Sequence, residues 1–150
     1  MKKTLILLVT VALIIFESYQ EQGNFLIADD LLQTFTLENS ENNSLQRAFN
    51  NKQSDLQIQG AGVVVKVLRD DTKGSKHQKF ILRNNTGQSV LVAHNIDLAP
   101  RLSGLKKGDT VEFYGEYEWN AKGGVIHWTH KAPGSRHISG WLKYQGRTYQ

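Results

Sequence analysis

The sequence predicts an all-β domain, built as a small barrel, over residues 53–150 of the chain. Apolar and polar residues alternate in five separate segments after residue 55, and this period of two is typical of half-buried strands. No helical pattern of about ten residues or more separates the segments, so the strand–helix–strand units of a parallel sheet are excluded.

A bent first strand is predicted over residues 55–67. Its apolar positions are even-numbered up to Ile58 and odd-numbered from Val63 to Val67. We expect a β-bulge or a sharp bend at Gly60–Gly62 to reconcile the two halves, because glycine inside a strand often marks such an irregularity.

Four further strands are predicted. Two of them, "HQKFILR" (77–83) and "QSVLVAH" (88–94), flank the turn "NNTG", whose residues tolerate a positive φ. A turn-rich connection then leads to "TVEFYGEYEW" (110–119), and "NAKGG" leads to "VIHWTH" (125–130). These elements best match the five-stranded Greek-key OB barrel, with an SH3-like barrel or a small sandwich as alternatives.

Residues 1–18 have the pattern of a signal peptide or an N-terminal anchor. Two lysines precede an apolar run over 4–16, which as a helix would span about 20 Å of a bilayer core about 30 Å thick. Ser18 suits a cleavage site, but the bulky Phe16 departs from the small-residue pattern. We therefore expect engagement of the export machinery and a periplasmic or secreted domain. Anchoring in the inner membrane is the alternative if the segment stays uncleaved.

Residues 19–52 are predicted to form a polar linker with short helices. Leu45, Ala48 and Phe49 follow Ser44 at helical spacing, and serine is a favoured N-cap residue. We expect this helix to dock on the domain, with plain disorder of the linker as the alternative.

Charge divides unevenly along the chain. Residues 60–150 carry 14 basic and 7 acidic side chains, a net charge of +7, whereas residues 19–59 carry 2 basic and 6 acidic ones, a net charge of −4. A basic domain favours a polyanionic partner such as nucleic acid, with a solvated basic surface as the alternative. The chain has no cysteine, which excludes disulfides, thiolate catalysis and thiolate metal ligands.

Histidines are concentrated in "GGVIHWTHKAPGSRHISGW" (123–141), which holds three of the five. His127 and His130 are the candidate ligands of a divalent metal, although residues three apart on a strand point to opposite faces. No other cofactor is predicted. The candidate ligand site comprises His77, His94, Asn95, Asp97, Arg101, Glu116, Glu118, His127, Trp128 and His130.

Each group in this set also has a structural alternative. The histidines at strand ends are typical general bases or metal ligands, but they also serve as hydrogen-bonding groups to the backbone. Glu116 and Glu118 share one strand face, which is also the pattern of a solvated stripe. The rings of Tyr114, Tyr117, Trp119 and Trp128 would stack bases or sugars on an OB barrel, unless they belong to the core.

Five blocks in order, "HQKFIL", "AHNIDLAPR", "GDTVEFYGEYEWN", "GGVIHWTH" and "GWLKYQGRTYQ", resemble the small bacterial family catalogued as domain of unknown function 3465. The resemblance covers about residues 53–150. It implies a small exported bacterial domain, OB-like, and it supplies no catalytic residues.

These observations lead us to expect an exported OB-like ligand-binding module, with nucleic acid or another polyanion as the favoured ligand. One alternative is a metal-dependent hydrolase or phosphodiesterase that uses the histidines and glutamates. A second alternative is an envelope domain that binds other proteins.

Overall fold

The computed structural model describes residues 30–33 and 44–150, which fall into two units divided between Leu37 and Glu38. The first unit contributes one helical turn over 30–33. The predicted signal segment and the remainder of the linker lie outside the described residues. Within 30–33 and 44–150, no helix has the length and apolar character needed to cross a bilayer.

Residues 44–150 of the second unit form one helix and seven strands. Helix α1 covers residues 44–50, with Ser44 at its start. The strands are β1 (Leu56–Val67), β2 (His77–Arg83), β3 (Ser89–Asn95), β4 (Thr110–Glu118), β5 (Val125–His127), β6 (Trp141–Tyr144) and β7 (Arg147–Tyr149).

Five of the strands close into a barrel, which confirms the predicted all-β class. β1 pairs with β2, β2 with β3, β3 with β5 and β5 with β4, and β4 pairs back with β1. Only the β3–β5 pairing is parallel among these five. The long β1 makes closure feasible, because its first half hydrogen-bonds to β4 and its second half to β2. A strand shared in this way leaves no open edge in the barrel.

β1 has no bulge at Gly60–Gly62, where the sequence predicts one, and its irregularity lies further along the strand. Pairing with β4 is regular from Leu56 to Val63, and the irregularity falls between Val64 and Lys66, opposite β2. The core-facing positions therefore stay even-numbered through Val64, which is fully buried, while Val63 is 44% exposed. Three consecutive valines carry no alternation of their own, so the sequence pattern could not locate the change of register.

Gly60 and Gly62 face the interior of the barrel, where there is no room for a side chain. A Cβ on Gly60 would lie 2.8 Å from the ring of Phe113, and one on Gly62 would lie 3.0 Å from the carbonyl oxygen of Arg83. Neither glycine has a positive φ. Their role is thus to allow close packing across the barrel rather than to bend the chain.

The core is formed by the inward side chains of the strands together with α1. The largest buried side chains are Tyr117, Phe80, Phe113, Leu45, Leu82, Leu102, Ile126 and Leu142. α1 adds Leu45 and Ala48 to this core, and the indole N–H of Trp119 donates to the backbone oxygen of Phe49 at 3.1 Å. The predicted docking helix is present, and it belongs to the same hydrophobic core as the strands.

Two strands lie beyond the five predicted ones. β6 pairs with the same edge of β4 as β5 does, but nearer to the start of β4, and β7 pairs with β6. The predicted fifth strand extended to His130, but β5 ends at His127 because Trp128 has a φ of 51°. A left-handed backbone at a bulky residue interrupts a strand. Residues 128–140 form a loop, which we call the excursion loop, between β5 and β6.

Buried polar groups hold the β3–β4 connection to the barrel. The side-chain amide of Gln78 donates to the carbonyl of Leu102 at 3.0 Å, and its oxygen accepts from the Leu102 N–H at 2.9 Å. His94 is fully buried; its Nε2 contacts the Pro100 carbonyl at 3.1 Å and its Nδ1 contacts the Thr129 hydroxyl at 2.9 Å. A carbonyl only accepts, so Nε2 carries the proton and Nδ1 accepts from Thr129. The imidazole is thus satisfied in its neutral form.

We expect Gly60→Val to destabilise the barrel by about 1–3 kcal/mol, because the Phe113 ring must move out of a packed core. The control is Ala61→Val, which places the same side chain on the outward face of β1 and should change stability by no more than about 0.5 kcal/mol. Urea unfolding measures both. Equal losses of stability in the two variants would contradict the packing role of Gly60.

We expect His94 to make the fold sensitive to acid. Burial lowers the pKa of His94 from its ordinary 6.5 to about 4, so the unfolded chain takes up the proton at a higher pH than the folded one. Stability should therefore fall as the pH drops from 6.5 to about 4, with a total loss of about 3 kcal/mol.

Urea midpoints measured at intervals between pH 7.5 and 4 test this expectation, with His94→Gln as the comparison. The carboxylates titrate in both proteins, so the difference between the two profiles isolates His94. At pH 7.5 the His94→Gln variant should be less stable than the unchanged protein. Between pH 7.5 and 4 its stability should decrease by a smaller amount. Parallel profiles for the two proteins would show that His94 does not contribute.

Candidate functional site

The outer face of the barrel carries the candidate site on four neighbouring strands. Strand alternation turns Lys79 of β2, Ala93 of β3, His127 of β5 and Glu116 of β4 outward. The register sets Lys79 opposite Ala93 and His127 opposite Glu116. The backbone pairing therefore determines which outward side chains are neighbours.

Two adjoining hollows lie on this face, and we call them together the outer groove. The polar hollow has a volume of about 320 Å³ and is lined by Asp71, His77, Lys79, Ala93, Glu118, Val125 and His127. The apolar hollow has a volume of about 420 Å³ and is lined by Leu68, Ile81, Val90, Leu91, Asn120, Ala121, Lys122 and Gly124. Volumes of this size are within the range of small-molecule sites.

A cluster of three ionisable groups stands at the polar end of the groove. The Nε2 atom of His127 is 3.5 Å from a carboxylate oxygen of Glu116 and 3.9 Å from one of Glu118. The three donor atoms lie within 4.8 Å of one another, which is a spacing that could hold a metal ion. We call Glu116, Glu118 and His127 the carboxylate–histidine cluster.

The imidazole of His127 is only partly satisfied. Its Nε2 atom is buried and has no hydrogen-bond partner among the described residues. Burial lowers the pKa of His127, against the opposing effect of the Glu116 and Glu118 charges. A neutral imidazole with an unpartnered nitrogen is the form that binds metal ions or accepts a proton.

The excursion loop folds back on itself and places a further histidine, His137, beside the cluster. The Gly140 N–H donates to the His130 carbonyl at 3.0 Å, and a Cβ on Gly140 would overlap the Trp128 carbonyl oxygen. His137 stacks on Trp128 with 3.7 Å between the ring centroids, and its Nδ1 is 3.4 Å from Glu116. The loop thus places an aromatic–histidine pair beside the carboxylates.

A third hollow lies within this loop. Its volume is about 500 Å³, and its lining consists of Trp128, Ala132, Pro133, Gly134, Arg136 and His137. Trp128 and His137 form one wall, and Arg136 supplies a positive charge.

The loop between β1 and β2 is tied to the start of β2. Asp71 and His77 exchange two backbone hydrogen bonds, and Lys79 lies 3.8 Å from the Asp71 carboxylate. A hydrogen bond from the Lys73 N–H, together with the charge of Lys79, lowers the pKa of Asp71. This arrangement fixes His77 and Lys79 at the rim of the polar hollow.

Half of the predicted site residues come together here. His77, Glu118 and His127 line the polar hollow, Glu116 joins them in the cluster, and Trp128 stands beside His127 with 6.3 Å between the ring centroids.

The other five do not line the two hollows, although Asn95 is directly opposite His77 in the β2–β3 register. His94 faces the core, as described above. His130 is 3% exposed, and its Nδ1 is 2.9 Å from the Lys131 carbonyl. Asn95 accepts from the Asp97 N–H, Asp97 accepts from the Lys76 N–H, and Arg101 pairs with Asp70. Of the two candidate metal ligands, His127 belongs to the cluster and His130 does not.

Three residues at the site were not in the predicted set. Asp71 and Lys79 flank His77 in sequence, and the outward position of Lys79 follows from the inward Phe80, so a signal for them existed. His137 is separated from Glu116 by 21 residues along the chain. No regular spacing along the sequence relates His137 to Glu116. The two residues meet because the excursion loop folds back toward β4.

The rings considered for base stacking lie mostly away from the groove. Tyr117 is fully buried, Trp119 stacks on Phe49, and Tyr114 packs against Trp141. Trp128 alone among these four borders the carboxylate–histidine cluster.

Sequence comparison identifies the family. Residues 30–150 match the family described as "Protein of unknown function (DUF3465)". No curated protein matches the chain. Because the match covers most of the chain, including α1 and all seven strands, the protein belongs to the DUF3465 family.

Proposed function

We propose that the protein is a ligand-binding module whose outer groove binds an anionic polymer, with single-stranded nucleic acid as the favoured ligand. The observation that carries this proposal is the location of the groove. It crosses β2 and β3 and is bordered by the β1–β2 loop (68–76) and the β4–β5 loop (119–124). OB barrels bind oligonucleotides and oligosaccharides on this face and with these loops.

Two lysines at the groove support an anionic ligand. Lys122 lines the apolar hollow, whose lining holds no carboxylate, and Lys79 lines the polar hollow, where it pairs with Asp71 beside Glu118. Arg136 lines the third hollow, beyond the cluster. Cations distributed in this way suit successive phosphates of an extended strand, whose bases could rest against Leu91, Ile81 and the exposed side of Trp128.

The carboxylate–histidine cluster favours a second candidate function, metal-dependent hydrolysis of a phosphodiester. Two carboxylates and a histidine at the end of a groove are suitable ligands for a metal ion that activates water. In this second function the groove would hold the same class of ligand and the cluster would cleave it.

Binding of a single-stranded oligonucleotide, measured by fluorescence anisotropy, should weaken steeply as salt increases. Replacing both groove lysines in Lys79→Gln/Lys122→Gln should weaken binding and reduce the slope of log K against log salt by about 1.4, the value for two lost phosphate contacts. Lys143→Gln is the matched control, because Lys143 lies on β6 and pairs with Glu112. The proposal fails if the folded protein does not bind at low salt, or if the control weakens binding as much as the double variant.

The same oligonucleotide, end-labelled and incubated with Mn²⁺ or Zn²⁺, separates the two functions. A binding module leaves it at full length. Shortened products that disappear in His127→Gln would establish the hydrolase instead.

We also propose that the chain is exported, on the basis of the positive and then apolar pattern of residues 1–16. In a Gram-negative host the full-length chain should fractionate with the periplasm or the inner membrane, and a chain lacking residues 2–16 should stay in the cytoplasm. Recovery of the full-length chain in the soluble cytoplasmic fraction would refute export.

A further inference from the structure

The distances within the carboxylate–histidine cluster do not fit a direct hydrogen bond. A charge-assisted N–H···O bond has a donor–acceptor distance of about 2.7–2.9 Å. The His127 Nε2 atom is 3.5 Å from Glu116 and 3.9 Å from Glu118, and it is buried without a hydrogen-bond partner among the described residues. The nitrogen therefore lies between two carboxylates at distances too long for either to satisfy it.

The same distances fit ligands around one metal ion. Tetrahedral bonds of about 2.0–2.1 Å to nitrogen and oxygen place neighbouring donor atoms about 3.4 Å apart. The His127–Glu116 separation already has this value, the His127–Glu118 separation is about half an ångström longer, and all three donor atoms lie within 4.8 Å of one another, so side-chain adjustment would complete the site. An ion at the centre would satisfy the His127 nitrogen and offset the repulsion between the two carboxylates.

The backbone holds the three donors in place without a metal. Glu116 and Glu118 are two residues apart on β4 and share its outward face, and His127 is directly opposite Glu116 in the β4–β5 register. His137 approaches the second oxygen of Glu116 at 3.4 Å and is itself held by stacking on Trp128. Groups that contact a ligand from outside in this way orient it toward the ion.

From these observations we infer that Glu116, Glu118 and His127 bind one divalent transition-metal ion at the end of the outer groove. An imidazole nitrogen among the donors favours zinc and its neighbours over magnesium or calcium. Three protein ligands leave a coordination position open for water or a ligand oxygen.

The metal would also account for two carboxylates beside a groove that we propose binds an anion. Glu116 and Glu118 alone would repel a phosphate, whereas a divalent ion cancels their charge and offers the phosphate a ligand position. This second part of the inference rests on the proposed function. The metal site itself does not.

Zinc titration of the full chain, freed of metal with EDTA and followed by calorimetry at pH 7.5, tests the site. We expect one zinc ion per chain, and we expect Glu116→Gln, Glu118→Gln and His127→Gln each to weaken binding at least about tenfold. Glu112→Gln is the matched control, since Glu112 lies on the same outward face of β4 and pairs with Lys143. It should bind zinc as tightly as the unchanged protein.

Far-UV circular dichroism of each variant shows that the barrel is folded, and Co²⁺ gives an independent reading through its visible absorption. The unchanged protein and Glu112→Gln should both give the absorption of Co²⁺ bound by nitrogen and oxygen ligands. His127→Gln should not give this absorption. Absence of one-to-one zinc binding, or equal weakening by Glu112→Gln, would overturn the inference.

Oligonucleotide binding measured with zinc and with EDTA separates the failure of this inference from that of the proposed function. Zinc binding without any oligonucleotide binding would leave the metal site standing and refute the polyanion function. Oligonucleotide binding that zinc does not strengthen, in a protein that takes up no zinc, would refute the metal site alone.

Discussion

Backbone hydrogen bonding along both edges of β4 holds the barrel and its candidate site together. One edge pairs with β1 over eight residues and closes the barrel. The other edge is divided between β5 and β6, which pair with its two ends. Because both partners use the same edge, residues 128–140 must leave the sheet between them. The excursion loop, and with it the position of His137, follows from this division.

The two faces of β4 differ in burial and in the side chains that they carry. Val111, Phe113 and Tyr117 are buried in the core, whereas Glu116 and Glu118 on the opposite face are only partly covered. Burial of the first set contributes to folding through the hydrophobic effect. The second set lies beside His127 at the end of the outer groove.

His94 and His127 show how the environment determines the role of a histidine in this chain. Both imidazoles have a pKa lowered by burial. The two nitrogens of His94 have a hydroxyl and a carbonyl as partners, which leaves no site for a ligand. In the described part of the chain, the buried Nε2 of His127 has no hydrogen-bond partner, and it faces two carboxylates at the end of the groove. Hydrogen-bond satisfaction, rather than residue type or pKa, separates the structural histidine from the candidate ligand.

Alternation along the chain was sufficient to predict the barrel strands and the outward glutamates, because a period of two reports which face of a strand is buried. It failed at Val63–Val65, where three apolar residues in a row hide the register, and at Trp128, where the backbone leaves the strand. The hairpin of β6 and β7, with strands of four and three residues, was not among the predicted strands.

The sequence by itself determined the order of the five barrel strands along the chain, the inward and outward faces of β4, and the family. Tertiary structure alone decided which of five histidines meet the glutamates. His127 is nine residues from Glu118 and is brought opposite Glu116 by the pairing of β4 with β5, whereas His130 turns inward and His137 returns through loop closure. Which side chains meet across strands depends on the register of the strands and on the path of the loops, and the local pattern of residues predicts neither.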